Sequence, residues 1–163
     1  MKTDTLMQTI LIIDDEATNI NVLNELLQPH YHVLFARDGK TGIKIVQSQA
    51  LPDLILLDII MPELDGFQVT QLLKNDEATS KIPIIFITAK DDEEDQARGF
   101  HLGAVDYITK PFSPVVVKAR VKAHLELKRH RDFLEWMLRE RTKELHQMEK
   151  EYLNLFYRKD KKP

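Results

Sequence analysis

Short apolar runs alternate along the chain with longer segments in which apolar residues recur every three or four positions. The first longer segment, residues 18–28, places Ile20, Leu23, Leu26 and Leu27 on one helical face. Short apolar runs without that spacing are typical of buried strands. The runs predicted as strands are residues 10–13, 31–36, 54–58, 83–88 and 105–110, and the segments predicted as helices are residues 18–28, 38–49, 65–75 and 92–103.

Turn and capping residues stand at the ends of several predicted elements. Asp38 is placed to cap the second helix, Pro52-Asp53 is a turn signal before the third strand, and Gly103 is a candidate helix C-cap. Asp65-Gly66 reads as turn chemistry and the start of the third helix. Five strands alternating with helices predict an α/β fold, with a doubly wound parallel sheet covered on both faces.

The last third of the chain has a different pattern. After Pro114 no proline or glycine occurs before Pro163, so residues 115–157 are predicted to form one long helix. At about 1.5 Å per residue this helix would extend roughly 60 Å, and only its start, near residues 115–121, should pack on the sheet. Its later apolar residues follow the alternating three- and four-residue steps of a coiled-coil seam. The seam consists of Leu127, Leu134, Leu138, Leu145, Met148, Tyr152 and Leu155.

The coiled-coil pattern is imperfect. Arg131 and Arg141 interrupt the seam, and in a parallel dimer Glu144 of one copy would face Glu149 of the other. We therefore expect weak pairing unless another contact supports it. The predicted organisation is a globular domain over residues 1–125 and an extended helix over residues 126–163 that acts as a coiled-coil linker or dimerisation segment.

Composition narrows the class of protein. The 163 residues are 43% hydrophobic and 30% charged, which suits one domain with a core plus an appendage. The chain has no cysteine, which excludes disulfides and thiolate metal sites. No apolar run approaches the roughly 20 residues that span a bilayer, and the N-terminal residues lack an apolar signal core. We expect a cytoplasmic protein that does not contact the membrane.

Charge is distributed unevenly. Residues 114–163 hold 14 of the 23 Lys and Arg residues and 8 of the 26 Asp and Glu residues, a net charge of +6. Residues 1–113 therefore carry a net charge of −9. Such a division indicates two parts with different roles. No second helix and turn accompany the basic tail to form a helix-turn-helix, so its charges are interpreted as a solvated helical face, and no nucleic-acid partner is expected.

Polar residues follow the predicted strands at their carboxyl ends. Asp14 and Asp15 come after the first strand, Asp58 ends the third, Thr88 ends the fourth and Lys110 ends the fifth. Functional groups of parallel α/β sheets gather at this edge. We therefore expect these five side chains to converge.

The converging residue types indicate phosphoryl chemistry. Neighbouring carboxylates raise one another's pKa unless a cation offsets their charge. Oxygen ligands favour Mg²⁺ over Zn²⁺, and Mg²⁺ prefers one or two carboxylates together with water and phosphate oxygens. Lys110 could pair with a phosphoryl oxygen, Thr88 could hydrogen-bond another, and one carboxylate could become an aspartyl phosphate.

Four segments together resemble the receiver domain of two-component response regulators. They are DD at 14–15, LLDIIMPELDG at 56–66, FITAK at 86–90 and DYITKPFSP at 106–114, and the resemblance covers about residues 8–125. It implies a flavodoxin-like fold with strand order 2-1-3-4-5. It also implies that Asp58 is the phosphoacceptor.

The resemblance implies further roles at the site. Asp15, Asp58 and the backbone carbonyl of Ile60 would bind Mg²⁺ directly, and Asp14 would hold a metal-bound water. The apolar side chain of Ile60 cannot orient an attacking water, and Lys90 is long and basic, so slow loss of the phosphoryl group is expected.

Other residues are implied in gripping the phosphoryl group and in switching. Thr88 and Lys110 would contact the phosphoryl group, and Tyr107 would swing inward when Thr88 moves. The Lys110–Pro111 bond is expected to be cis. Tyr107 has a second reading, as a half-buried packing residue without a switching role.

The function implied is that of a phosphorylation-dependent switch. A sensor histidine kinase or phosphotransfer protein would donate the phosphoryl group, and the last helix and coiled coil would support a homodimer, with Asp106 and Arg120 as a candidate cross-dimer ion pair. Residues 124–145 resemble helical linkers that precede cyclic-di-GMP phosphodiesterase output domains. A downstream output domain or partner protein is therefore expected, but no output enzyme lies in these residues.

Several alternatives remain open. Asp14 and Asp15 could simply cap the helix that begins near Thr18, and His124 and His130 are interpreted as surface residues. A haloacid-dehalogenase-like phosphatase needs a second aspartate where Ile60 stands, and a flavodoxin relative needs a Ser/Thr/Gly-rich loop where residues 14–19 are acidic. The remaining alternative is a non-catalytic coiled-coil scaffold or adaptor with a silent receiver.

Overall fold

The computed structural model describes residues 7–48, 51–89 and 93–159. It contains a five-stranded parallel sheet with the strand order 2-1-3-4-5, which confirms the predicted flavodoxin-like fold. Each strand lies within two residues of its predicted position. The strands are β1 (Thr9–Ile13), β2 (His32–Ala36), β3 (Leu54–Asp58), β4 (Ile84–Thr88) and β5 (Asp106–Thr109).

Helices connect the strands, as the spacing of apolar residues predicts. Asp38 accepts a hydrogen bond from the Thr41 amide as the cap of the second helix, and Gly103 adopts φ +99° after the fourth. Both capping predictions are therefore confirmed. The helices are α1 (Ala17–Leu27), α2 (Gly39–Gln47), α3 (Gly66–Asn75), α4 (Glu93–His101) and α5 (Pro114–Lys159).

Two apolar clusters cover the faces of the sheet. Strands β1, β3 and β4 supply alternate side chains to each face, and their aliphatic residues are almost fully buried. Val117, Val121 and Leu125 of α5 are fully buried in the cluster that also contains residues of α1. The start of α5 therefore packs on the sheet, as predicted, because these residues recur at helical spacing.

The chain forms two compact units, Met1–Glu126 and Leu127–Pro163. The second unit consists, where it is described, of the later part of α5. No helix among the described residues has the length and hydropathy needed to cross a bilayer.

The start of α3 lies unusually close to the end of β3. Asp65 caps α3 in a capping box with Gln68, and the Gly66 amide donates to the Ile59 carbonyl at 2.9 Å. A Cβ on Gly66 would lie 2.4 Å from the carbonyl oxygen of Asp58 and 2.8 Å from the Cα of Ile59. Because both are backbone atoms, they cannot move aside easily, and only glycine fits here. The sequence indicated a glycine for the turn, whereas the structure shows that the close approach of α3 to β3 also requires one.

Replacing Gly66 with alanine should lower the free energy of unfolding by about 1–3 kcal/mol, because the added methyl group must displace backbone. Urea denaturation monitored by circular dichroism would measure the loss. Exposed Gln71 lies on the same helix, and Gln71→Ala should change stability by less than about 0.5 kcal/mol. Equal stability of the two variants would show that the close approach is not a constraint.

Candidate functional site

Three acidic side chains converge at the carboxyl edge of the sheet. Each of Asp14, Asp15 and Asp58 offers a carboxylate oxygen, and these oxygens lie within 4.8 Å of one another. They come from residues that follow β1 and end β3, which are hydrogen-bonded neighbours in the sheet. The predicted convergence of the three carboxylates is therefore observed.

Asp14 is fully buried and held in place by neighbouring groups. Its amide donates to the Ala36 carbonyl at 3.2 Å, which ties the end of β1 to β2. Its carboxylate accepts from the Glu16 amide at 2.9 Å and from the Asn19 side-chain amide at 3.1 Å. These donors compensate part of the cost of burying a charge. Asn19 was missed by the sequence analysis, although it stands one helical turn beyond the acidic pair.

Asp15 is partly exposed, and its backbone carbonyl accepts a hydrogen bond from the Arg37 guanidinium at 3.2 Å. The N-cap residue of α1 is Glu16. Neither Asp14 nor Asp15 occupies the capping position, so the alternative in which these aspartates serve only to cap the helix is not observed.

Lys110 lies between two of the buried carboxylates. Its Nζ is 2.8 Å from Oδ2 of Asp58 and 3.2 Å from Oδ2 of Asp14. The other Asp58 oxygen accepts a hydrogen bond from the Ile60 amide at 3.2 Å. Asp58 is only 4% exposed, so its charge interacts with these groups and little with bulk water.

The pKa shifts at the site show which charges dominate. Burial raises the pKa of Asp58, the Lys110 ammonium opposes this shift, and the charge of Asp14 adds to it. Burial lowers the pKa of Lys110, but its contacts with Asp58 and Asp14 outweigh that effect, so its pKa is raised overall. At neutral pH Lys110 is a cation that only partly compensates the carboxylates.

The donor set suits a hard divalent cation. Three ionised carboxylates and one ammonium would leave about two negative charges in excess, and every candidate ligand atom is an oxygen. The 4.8 Å limit on their separations allows a common ion, since two ligands on opposite sides of Mg²⁺ lie about 4 Å apart. The residues present therefore fit Mg²⁺ in charge and in ligand type.

Thr88 and Lys110 are neighbours across the β4–β5 edge. Thr88 is 7% exposed at the end of β4, and its carbonyl accepts a hydrogen bond from the Lys110 amide at 2.8 Å. The Lys110–Pro111 peptide bond is cis, as the family resemblance implied. All five predicted strand-end residues therefore lie at one edge of the sheet.

Tyr107 lies half-buried on β5 and shares a small hollow with Thr88. Its ring meets Phe100 edge to face, with centroids 6.2 Å apart. The Arg120 guanidinium lies 5.3 Å from the centre of the Tyr107 ring and donates to the Tyr107 carbonyl at 2.8 Å. The two predicted switch residues are thus close enough for a movement of one to change the space available to the other.

Asp106, Arg120 and His124 form a polar cluster beside Tyr107. The Asp106–Arg120 ion pair, which the sequence suggested as a contact across a dimer, forms within one chain. The second Asp106 oxygen lies 3.0 Å from Nε2 of His124, whose side chain is 17% exposed. The interpretation of His124 as a surface residue is therefore wrong. Arg120 and His124 are four residues apart, which places both on one face of α5.

Ile60 and Lys90 are the two residues from which slow loss of the phosphoryl group is expected. Ile60 is 72% exposed, so its apolar side chain faces solvent two residues beyond Asp58. Lys90 lies outside the described residues.

Comparison with known proteins gives the same assignment as the geometry. Residues 10–122 match the response regulator receiver domain family. The chain is 42% identical to protein PilH of Pseudomonas aeruginosa over 120 residues, which cover 73% of this chain and 98% of PilH. It is 44% identical over 126 residues to a probable cyclic di-GMP phosphodiesterase of Vibrio cholerae. That match covers 77% of this chain but only 28% of the relative's length.

A solved structure agrees in fold. A response regulator from Chloroflexus aurantiacus is 32% identical and superposes with a TM-score of 0.70, covering 74% of this chain and 98% of that one. The family match, the relatives and the acidic edge of a 2-1-3-4-5 sheet agree with one another. This chain belongs to the response regulator receiver domain family.

Proposed function

We propose that this chain is a phosphorylation-dependent switch that accepts a phosphoryl group on Asp58 from a sensor histidine kinase or a phosphotransfer protein. The observation that carries the proposal is the position of the Asp58 carboxylate. It is buried beside Asp14 and Asp15 at the carboxyl edge of the sheet, with Lys110 at 2.8 Å. A nucleophile in this setting can receive a phosphoryl group while nearby cations compensate the developing charge.

In the proposed reaction a carboxylate oxygen of Asp58 attacks the phosphorus of a phosphohistidine on the partner. The P–O bond forms as the P–N bond breaks, and the leaving imidazole nitrogen keeps the electron pair and takes up a proton. Lys110 moves from the carboxylate to a phosphoryl oxygen, and the Thr88 hydroxyl donates a hydrogen bond to another. Both groups start close to this position, since Lys110 contacts Asp58 and its amide is bonded to the Thr88 carbonyl.

Asp15, Asp58 and the backbone carbonyl of Ile60 are the proposed direct ligands of Mg²⁺, with Asp14 acting through water. The carboxylate of Asp14 already accepts hydrogen bonds from Glu16 and Asn19, which favours this indirect role. When bound, the ion supplies positive charge to the transferring phosphoryl group.

Thr88 and Tyr107 are proposed to carry the signal away from the site. Thr88 would move toward the phosphoryl group and open the shared hollow to the Tyr107 ring. Arg120 contacts both that ring and the Tyr107 backbone from α5. Phosphorylation would then shift the equilibrium between two arrangements of the surface around Thr88 and Tyr107. The shift can be no larger than the difference in free energy with which the phosphoryl group stabilises the two arrangements.

The output is proposed to pass through the receiver, over residues 1–125, into the extended helix over residues 126–163. Self-association through the last helix and coiled coil would form a homodimer, and a downstream output domain or partner protein would respond in the cytoplasm. The only reactions proposed for the receiver itself are its own phosphorylation and dephosphorylation. The alternative is a coiled-coil scaffold with a silent receiver, which the exposed apolar stripe of α5 would also suit.

Incubation with Mg²⁺ and a small phosphodonor such as acetyl phosphate, or with a phosphorylated histidine kinase, should add the mass of one phosphoryl group to the wild-type chain. Asp58→Asn should gain none, because an amide cannot form the acyl phosphate. Asp76→Asn, at an exposed position, is the matched control and should be modified like the wild type. Intact-protein mass spectrometry is the measurement. An unmodified wild-type chain with every donor would favour the silent scaffold.

Asp58→Asn should raise the free energy of unfolding at pH 7 in a chelator. Burial and Asp14 hold the folded-state pKa of Asp58 above its ordinary 3.8, so its ionised form is less favourable in the folded chain than in the unfolded chain. Below pH 3.8 the carboxyl is protonated in both states and the gain should vanish. The gain should develop as the pH rises from 3.8 toward the folded-state pKa of Asp58, and it should be complete above that pKa.

Urea denaturation across this pH range would measure the effect, with Asp76→Asn as the neutral control. Adding Mg²⁺ should stabilise the wild type more than Asp58→Asn, since the variant lacks one charged ligand. A wild-type chain more stable than Asp58→Asn at pH 7 in chelator would contradict the proposed electrostatic strain.

The phosphoryl group on Asp58 should be long-lived, and Ile60→Asn should shorten its lifetime severalfold. An amide at this exposed position can orient an attacking water, whereas isoleucine cannot. Ile60→Val is the control and should leave the lifetime unchanged. Loss of phosphoryl mass after removal of the donor gives the rate, and equal rates in all three chains would exclude this role for residue 60.

A further inference from the structure

The later part of α5 exposes the whole seam. Its seven apolar side chains are each 58–68% exposed, and they recur at the spacing of one helical face. A stripe of this length is the kind of surface that a partner helix covers. The members of the seam are Leu127, Leu134, Leu138, Leu145, Met148, Tyr152 and Leu155.

We propose that a second copy of this helix covers the seam from Leu127 to Tyr152 in the antiparallel orientation. The inference rests on the self-association proposed above and specifies its geometry. Leu134 of each copy lies opposite Leu145 of the other, and Leu127 lies opposite Tyr152. In the layers between and beyond these, Arg131 lies opposite Met148 and Leu138 opposite Arg141.

The two arginines of the seam favour this orientation. In a parallel, in-register pair Arg131 would face Arg131 of the other copy, and Arg141 would face Arg141. In the antiparallel pair each arginine instead meets an apolar side chain, which its methylene stem can cover. The charged ends already point to the edge of the seam, since Arg141 donates to Glu144 at 2.8 Å and Arg131 lies 3.3 Å from Asp132.

The charges beside the seam point the same way. The parallel pair sets Glu144 against Glu149 on both sides. The antiparallel pair places Lys128 on the same edge as Glu149 of the second copy, and His130 on the same edge as Glu151. The opposite charges of Lys128 and Glu149 favour the antiparallel orientation over the parallel one.

The neighbouring antiparallel registers are less favourable. A shift of one heptad in one direction sets Arg131 of each copy opposite Arg141 of the other. A shift in the other direction sets Glu144 opposite itself and Glu135 opposite Glu149. The proposed register is the one that avoids every like-charge pair among these residues.

Cysteine cross-linking distinguishes the orientations, because the chain has no cysteine of its own. Leu134→Cys and Leu145→Cys replace exposed side chains, so both variants should fold. A disulfide needs Cα atoms within about 7 Å, which in the antiparallel pair holds for Leu134 and Leu145 of different copies. Mild oxidation of the mixed full-length variants should give a covalent dimer, whereas each variant alone should stay largely monomeric on a non-reducing gel.

A charge reversal gives a second measurement. In the antiparallel pair Glu149→Lys places a second cation on the edge of Lys128, which should weaken dimerisation by about threefold to tenfold. In a parallel pair it would replace the Glu144–Glu149 repulsion by attraction and strengthen dimerisation. Glu140→Lys makes the same charge change on the outer face of the helix and should have little effect. Sedimentation equilibrium would measure the dimer dissociation constants of the wild type, Glu149→Lys and Glu140→Lys.

The outcomes separate the two levels of the proposal. Covalent dimers of Leu134→Cys alone, together with a stronger Glu149→Lys dimer, would overturn the antiparallel orientation and leave self-association standing. A chain that stays monomeric at all concentrations and never cross-links would overturn both. Phosphorylation of Asp58 is measured independently and stands or falls by its own assay.

Discussion

The burial of like charges at the carboxyl edge of the sheet is the constraint on which the rest of the site depends. Asp14 and Asp58 are each less than 5% exposed, and Lys110 is the cation that the structure places between them. Burying an ionised carboxylate is strongly unfavourable unless charge and hydrogen-bond donors compensate it. The Glu16 and Ile60 amides, the Asn19 side chain and the Lys110 ammonium provide that compensation only in part. The raised pKa of Asp58 records the remaining strain.

The core makes such strain tolerable. Strands β1, β3 and β4 are buried along their lengths, so their apolar burial stabilises the sheet whatever the charge at its edge. Parallel strands end at one edge, and loops there can take polar residues without disturbing the core. Close packing then fixes the loops. At Gly66 the start of α3 lies against the backbone of residues 58 and 59, which leaves the chain after Asp58 little freedom.

The elements and the main site residues could be predicted because they depend on local order along the chain. Helical and strand periodicity locate each element, and strand ends locate Asp14, Asp15, Asp58, Thr88 and Lys110. Contacts between distant side chains carry no such signal. Gly66 looks like an ordinary turn residue in the sequence, and its role depends on the backbone that packs against it. Asn19 contacts Asp14 only five residues away, but it looks like an ordinary helix residue because spacing alone does not show which way its side chain points. His124 was misjudged for the same reason, since its partner Asp106 lies 18 residues away.

The last helix differs from the core because most of its later apolar side chains are exposed. Buried Val117, Val121 and Leu125 hold the first turns of α5. Beyond residue 126 the structure shows mainly ion pairs within the helix, such as Lys128–Asp132 and Arg141–Glu144. Exposed pairs of this kind contribute about 0.3–0.5 kcal/mol each, and isolated helices are marginal in water. In the proposed dimer, burial of the apolar face would add to the stability of this segment, so that pairing and helix formation would stabilise each other. In the proposed switch, a signal passed to α5 through Tyr107 and Arg120 would need to change that balance only slightly to alter the state of the segment.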